Sequence, residues 1–263
     1  MMNLEKSKRQ DKPLLVAHRG YAKNYPENTF SAFAAAIDCG GRFLELDVQL
    51  TRDHVACVIH DDNLVRTGSK SVSVLDSDWV ALKGWPVGEN GRLNGKFSTE
   101  PIVSLNDFVA FLQKNPGVHA FIEIKEESVS RFGSKVVLGA VLSELLFARE
   151  QCSIISYNHH LLNEIKKISD FPIGFILHAY DAEHQKLACS LKPNIIICNY
   201  QKIPDEDGAL WQGDWEWMIY EVTAPEVARK WFNRGVKYIE TMAFSEMMSA
   251  LNAEAHDSGP AEC

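Results

Sequence analysis

The sequence predicts an α/β fold, a (β/α)8 barrel with a β-hairpin after its second strand and a small insertion over the C-terminal face. Eight short runs rich in β-branched residues alternate with segments of helical periodicity. Strands that alternate with helices at this spacing form a parallel sheet, and eight such units close into the TIM barrel architecture. An open doubly wound sheet is the weaker alternative.

The eight predicted strands share short length, apolar character and a following turn or helix. They are residues 14–17, 43–48, 120–124, 153–156, 173–177, 194–198, 217–222 and 237–240. Polar residues follow several of these runs directly, as expected where strands end at the face of a barrel.

Capping residues mark the helices between these strands. Asn28 is predicted to cap a helix over 29–39 that ends before Gly40, and Ser104 to cap a helix over 105–114 ahead of Pro116. Helical periodicity continues over 131–147, 159–168, 182–191 and 225–233, and the connection 204–212 is the least regular.

An additional apolar run, 55–59, is predicted to form a hairpin with the second strand. Only residues 51–54 separate the two, too few for a helical crossover, so the run should return antiparallel. A turn centred between Arg52 and Asp53 would place His60 opposite Glu45. A bulge at Asp53 or His54 would shift this register by one residue.

We predict a single domain over residues 1–263, with the barrel core at 12–250 and the insertion at 62–99. The segment 62–99 is rich in Gly, Ser, Asn and Trp and is too long for an ordinary loop. Long loops of this kind usually carry function, so the insertion is expected over the barrel mouth.

Composition and charge exclude several classes of function. The net charge is -8, and the 27 Lys and Arg residues are scattered, which argues against a nucleic-acid partner. The charged N-terminus lacks a signal-peptide core, and the apolar stretch 136–147 is too short to span a membrane. Six cysteines without a C-x-x-C pair argue against a zinc site or a disulfide scaffold. A cytoplasmic enzyme is the expectation, and its oligomeric state is not predicted.

Two predicted strands carry paired polar residues. Glu45 and Asp47 are two apart, so both side chains leave the same face of the second strand, and Glu123 and Lys125 repeat this spacing in FIEIK. Buried carboxylates need a compensating cation. Three oxygen ligands without cysteine favour one hard divalent cation, Mg²⁺ or Ca²⁺.

Two histidines end the first strand and the hairpin. His18 is followed by Arg19 and Gly20, and His60 by Asp61. Histidines of near-neutral pKa suit general acid and base roles at a phosphorus centre, while Arg19 and Lys125 suit its non-bridging oxygens. Taken singly, each residue also fits a capping or packing role, but their conjunction at strand ends favours one phosphodiester-cleaving site.

At these residues the sequence resembles the glycerophosphodiester phosphodiesterase family. The matching stretches are AHRGYAKNYPENTFSAFAAAIDCG, FLELDVQLTRDHVACVIHDDNLVRTG, STEPIVSLNDFV and AFIEIK, which cover the N-terminal half in the family's order and spacing. The combination of H-R-G, P-E-N-T, E-x-D-V-x-x-T-x-D and H-D is highly specific.

The resemblance implies a TIM barrel that hydrolyses glycerophosphodiesters to glycerol 3-phosphate and an alcohol. It implies that a glycerol hydroxyl attacks phosphorus and that water opens the resulting cyclic phosphate. Matching by position assigns each candidate a role, with metal ligands Glu45, Asp47 and Glu123, acid and base His18 and His60, phosphate contacts Arg19 and Lys125, and a supporting residue Glu27.

The C-terminal half departs from the family pattern. Tyr220, Glu221, Val222 and Thr223 stand where the family usually has W-T-V-N, which makes Tyr220 a pocket candidate, and Thr241 to Phe244 replace T-D-x-P. Two alternatives therefore stay open. One is phospholipase D-like cleavage of lysophospholipids, and the other is an inactive barrel that binds phosphorylated ligands.

Overall fold

The computed structural model describes residues 12–205 and 210–257, with side chains to residue 253. In this part of the chain ten strands occur: β1 (Leu14–Ala17), β2 (Phe43–Leu50), β3 (Ala56–Val58), β4 (Val103–Ser104), β5 (His119–Ile124), β6 (Cys152–Ser156), β7 (Ile173–Ile176), β8 (Ile195–Asn199), β9 (Glu216–Tyr220) and β10 (Tyr238–Thr241). Cys263 and residues 206–209 of the irregular connection lie outside the described residues.

Eight of these strands form a closed parallel barrel, so the predicted fold class is confirmed. Its order is β1, β2, β5, β6, β7, β8, β9 and β10, and β1 closes the ring by pairing with both β10 and β2. The eight-residue β2 has two partners on one side, since its first two residues pair with β1 and its last three pair with β3.

Helices surround the barrel in the described residues. They are α1 (Phe30–Asp38), α2 (Val65–Gly68), α3 (Trp79–Leu82), α4 (Leu105–Gln113), α5 (Glu126–Phe132), α6 (Ser134–Leu145), α7 (His159–Ile168), α8 (Ala182–Leu191), α9 (Pro225–Asn233) and α10 (Phe244–Asp257), with 3-10 turns at Leu146–Gln151 and Tyr200–Lys202. None of these helices combines the length and apolar character needed to cross a membrane.

Side-chain alternation separates two apolar layers. On β2, Leu44 and Leu46 point outward and join the core beneath the helices. Val16, Phe121 and Met218 point inward and fill the lower part of the barrel. Each such side chain contributes about 1.5–3 kcal/mol by burial. This apolar layer makes the lower barrel a packed core, so polar groups are confined to its top.

The hairpin forms as predicted, but its register is wrong by one residue. Val48 pairs with Val58, and the Ile59 amide donates to the Asp47 carbonyl. In this register His60 lies one residue away from the position directly opposite Glu45. The cause is a three-residue turn closed by His54, which adopts a left-handed φ of 62°. The sequence interpretation had named this position as one that would shift the pairing.

Two helix boundaries also differ from the prediction. The cap of α1 is Thr29, whose side chain accepts from the Ala32 amide, because Asn28 has a left-handed φ of 58° and directs its side chain elsewhere. The predicted helix 131–147 is broken at Gly133, whose φ of 82° ends α5 and starts α6. The Ser104 cap of α4 is as predicted.

The segment between β3 and β4 has a small apolar cluster of its own. Leu64, Val74 and Leu82 are buried there against Cys57 and Ile59 of the hairpin. This cluster anchors α2 and α3 to the hairpin and brings Arg66 of α2 to the site described below.

Candidate active site

Three carboxylates converge at the top of the barrel interior. Glu45 and Asp47 lie two residues apart on β2, and Glu123 of β5 pairs directly with Asp47 in the sheet. All three side chains are buried, and one oxygen of each lies within 4.8 Å of the others. The structure therefore brings together the three acidic residues that the sequence singled out as ligands.

Two cations contact this carboxylate group. The Arg19 Nε lies 3.0 Å from Asp47, and the Arg19 amide donates to Glu45 Oε2 at 3.0 Å. The Lys125 ammonium donates to Glu123 Oε1 at 2.8 Å and lies 3.5 Å from Asp47 Oδ1. Arg19 and Lys125 thus lie beside the three carboxylates.

The neighbouring charges shift the pKa values of the three acids in different directions. Burial acts to raise the pKa of Asp47, but Arg19 and Lys125 outweigh it and hold the pKa below its usual value. Burial and the charge of Asp47 raise the pKa of Glu45 well above its usual value, and they raise that of Glu123 to about 7. Glu45 and Glu123 therefore lack part of the positive charge that their ionised forms require.

The residues present fit a divalent cation. When all three are ionised, the carboxylates carry one more charge than Arg19 and Lys125 supply. The buried Oδ1 of Asp47 makes no hydrogen bond within the described residues. A donor set made only of oxygen atoms suits a hard cation.

The two histidines line the same pocket but at different depths. His18 is buried, and burial together with Arg19 lowers its pKa to about 3, so its ring is neutral at pH 7. The side chain of His60 is 33% exposed, and its Nδ1 lies 2.6 Å from Asp61 Oδ1. His60 therefore lies nearer the rim, with its ring fixed by a carboxylate.

Buried Glu27 connects these groups on the outer side. It accepts from Arg19 at 3.0 Å and from Arg66 Nη1 at 2.6 Å, while Arg66 Nε donates to Asp61 at 2.9 Å. Burial acts to raise the pKa of Glu27, but the two arginines hold it below its usual value. A continuous chain of ion pairs thus links Arg19 to His60.

Asn28 is a site residue that the sequence interpretation assigned to another role. Its amide donates to Asp47 Oδ2 at 2.9 Å, and its carbonyl oxygen accepts from the Asp47 amide at 3.2 Å. The left-handed backbone of Asn28 aims the side chain at Asp47 instead of at the helix end. The P-E-N-T motif contained this signal, since Asn tolerates that conformation better than most residues.

Glu240 on β10 is a further buried acid that the sequence interpretation missed. Its Oε1 lies 3.3 Å from His18 Nε2, and burial raises its pKa well above the usual value. A glutamate inside an otherwise apolar strand was the available signal.

The pocket over these groups has a volume of about 230 Å³ and two unlike sides. We call the first side the charged wall: His18, Arg19, Glu45, His60, Glu123 and Lys125. The second side is the tyrosine wall: Tyr157, Ile176, Tyr220 and Glu221. Glu240 also lines the pocket, on β10 between β1 and β9, beside His18. The hydroxyl groups of Tyr157 and Tyr220 share a hydrogen bond of 2.9 Å.

Comparisons with known proteins agree with this geometry. Residues 18–204 match the profile of the Glycerophosphoryl diester phosphodiesterase family. A glycerophosphodiester phosphodiesterase of Caldanaerobacter subterraneus is 35% identical over 158 residues, which are 60% of this chain and 63% of that protein. One from Bacillus altitudinis is 48% identical over 69 residues, or 26% of this chain and 28% of the relative. These alignments span less than two thirds of each relative.

Solved structures share the architecture over nearly the whole chain. An Oleispira antarctica phosphodiesterase in complex with the product sn-glycerol-3-phosphate has a TM-score of 0.78 at 19% identity, covering 92% of this chain and 97% of that one. A glycerophosphodiester phosphodiesterase from Thermotoga maritima has a TM-score of 0.68 at 22% identity, covering 92% and 99%. At these identities the likeness shows the fold alone.

Proposed function

Because the chain belongs to the glycerophosphoryl diester phosphodiesterase family, we propose that it hydrolyses glycerophosphodiesters to glycerol 3-phosphate and an alcohol, with one divalent cation. The observation that carries this proposal is the convergence of a carboxylate triad, two cations and two histidines at the top of the barrel, beneath and around one pocket. Phosphodiester hydrolysis needs these three kinds of group, because charge on the phosphoryl oxygens must be compensated and two protons must move.

Glu45, Asp47 and Glu123 would hold the cation, which we propose to be Mg²⁺ or Ca²⁺. The oxygen-only donor set and the residual negative charge support this assignment. When bound, the cation would act as a Lewis acid on a phosphoryl oxygen. Lys125 and Arg19 both line the pocket and would contact the remaining non-bridging oxygens.

His18 and His60 would move the protons of the reaction. One ring would accept the proton of the attacking glycerol 2-hydroxyl, and the other would protonate the departing alcohol, after which water would open the cyclic phosphate. His60 is suited to this because Asp61 fixes its ring at Nδ1 and leaves Nε2 for the substrate. Glu27 would support both Arg19 and, through Arg66, the Asp61 carboxylate.

The pocket favours small polar diesters, such as glycerophosphocholine or glycerophosphoethanolamine, over lysophospholipids. Ten of the eleven residues that line it carry charged groups, imidazoles or hydroxyls, and Ile176 is the aliphatic exception. A long acyl chain would gain little from such a surface.

We also propose that the enzyme acts in the cytoplasm on small molecules and not on nucleic acid. Five cysteines within the described residues are unpaired, which fits a reducing compartment. The net charge of -8 gives no electrostatic footprint for a polyanion.

The test is release of glycerol 3-phosphate from a panel of glycerophosphodiesters and lysophospholipids, with and without chelator. We expect release from the small diesters, loss of that release with chelator and its recovery with Mg²⁺ or Ca²⁺. Turnover confined to long-chain lysolipids would contradict the substrate class. Metal-dependent binding without turnover would contradict catalysis.

A further inference from the structure

Glu240 occupies an unusual place in the barrel. It lies on β10 opposite Val16 of β1, and Val16 points into the apolar layer that fills the lower barrel. The Glu240 side chain therefore also points inward, directly above that layer, and only 4% of the residue is exposed. A carboxylate in such a place needs a specific partner, because its burial without one is unfavourable.

The partner within reach is the ring of His18. Glu240 Oε1 lies 3.3 Å from His18 Nε2, and within the described residues no other cationic group or imidazole lies within ion-pair distance of Glu240. The His18 amide also donates to the Thr241 carbonyl at 3.1 Å, so the two backbones are held together at this level. Glu45 lies farther from the same nitrogen, at 3.9 Å.

The other nitrogen of His18 does not orient the ring. His18 Nδ1 is buried and has no hydrogen-bond partner within the described residues. Of the two carboxylates near Nε2, Glu240 is the nearer, and its contact therefore directs Nε2, rather than a ring carbon, toward this side of the pocket. A single proton between the Glu240 carboxyl and His18 Nε2 is sufficient for that contact, whether the carboxyl or the imidazole carries it.

A second cation between His18, Glu45 and Glu240 is the competing interpretation, since their ligand atoms lie within 4.8 Å of one another. Metal-bound histidines almost always donate their other ring N–H to an acceptor. His18 Nδ1 has no such acceptor among the described residues, which favours a direct contact between Glu240 and the ring.

We propose that Glu240 is a positioning residue that holds the His18 imidazole in its catalytic orientation. The proposal rests on the proposed function, in which His18 moves a proton. It adds a residue of the C-terminal half to the proposed catalytic groups, which otherwise come from β1, β2, the hairpin and β5.

The test compares Glu240→Gln, which keeps a hydrogen-bonding group, with Glu240→Leu and Glu240→Met, which do not. We expect Glu240→Gln to keep kcat within about 3-fold, and the apolar variants to lower kcat by about 10-fold or more with KM changed less than about 3-fold. In a His18→Ala background, Glu240→Leu should change kcat by less than about 2-fold, because the two residues act as a unit. Unchanged kcat in folded Glu240→Leu and Glu240→Met would overturn the proposal.

Two further measurements separate this proposal from its competitors. The ¹⁵N resonances of the His18 ring, assigned by their loss in His18→Ala, should move in Glu240→Leu and little in Glu240→Gln. Unchanged resonances in Glu240→Leu would overturn the contact, even if the wild type hydrolyses no diester. Calorimetric titration with Mg²⁺ should give the same stoichiometry in wild type and Glu240→Gln. A fall from two ions to one would overturn positioning in favour of a second cation site.

Discussion

The two walls of the pocket are built in different ways. On the charged wall, Arg19 contacts both Asp47 and Glu27, and Lys125 contacts Asp47 and Glu123, so each of these two cations has two ionic partners. On the tyrosine wall, Tyr157 and Tyr220 contact each other through one hydrogen bond.

On the basis of this difference we propose that the charged wall carries the chemistry and the tyrosine wall contributes to substrate choice. A side chain in a shared ion-pair network cannot be replaced without leaving its partners buried and uncompensated, whereas a hydroxyl contact can be lost at modest cost. The charged wall comes from the half whose motifs match the family, and the tyrosine wall includes the departing segment at Tyr220 and Glu221.

The largest expected effect is the loss of a histidine from the charged wall. His18→Ala and His60→Ala should each lower kcat by at least about 100-fold, the usual scale of lost acid-base catalysis. Steady-state release of glycerol 3-phosphate measures this, and exposed His160→Ala is the matched control. A wild-type rate in either variant would remove that residue from the mechanism and contradict the assignment of the chemistry to the charged wall.

A smaller effect is expected on the stability of the cation-free protein. The pKa of Glu123 is raised to about 7, and that of Glu45 is raised well above its usual value, so these groups stabilise the fold while protonated and lose that effect as pH rises through their folded pKa values. His18, whose pKa is lowered from 6.5, contributes fully once pH exceeds that value. Between about pH 6.5 and 8 the Tm with chelator should therefore fall by about 2–3 °C from Glu123 alone.

Scanning calorimetry across this pH range tests the sign of that slope. Mg²⁺ should flatten the slope, and Glu123→Gln should reduce it without metal, while Glu216→Gln at the exposed end of β9 should leave it unchanged. A Tm that rises with pH in chelator would show that the carboxylates are compensated without a cation.

The smallest effect is expected on the tyrosine wall. Tyr220→Phe removes the hydroxyl contact with Tyr157, so KM for small diesters should rise by up to about 5-fold while kcat stays within about 2-fold. Tyr238→Phe, at the opposite end of the barrel interior, is the control. A drop in kcat as large as that of a histidine variant would place the tyrosine wall in the chemistry itself.

Local pattern was enough to predict much of this molecule. Period-two alternation placed Glu45 with Asp47, and Glu123 with Lys125, on one face of each strand, and alternating strands and helices predicted the barrel that encloses them. These features depend on the geometry of single strands and on their order along the chain, both of which are present in the sequence.

Tertiary structure decided the contacts that join distant segments. Closure of the ring sets β10 beside β1 and so brings Glu240 to His18. The left-handed backbone of Asn28 decided its contact with Asp47, and that of His54 decided the register of the hairpin. Periodicity states which face a side chain occupies. It does not state which neighbour a closed barrel or a single turn residue will bring to that face, because those distances depend on the whole chain.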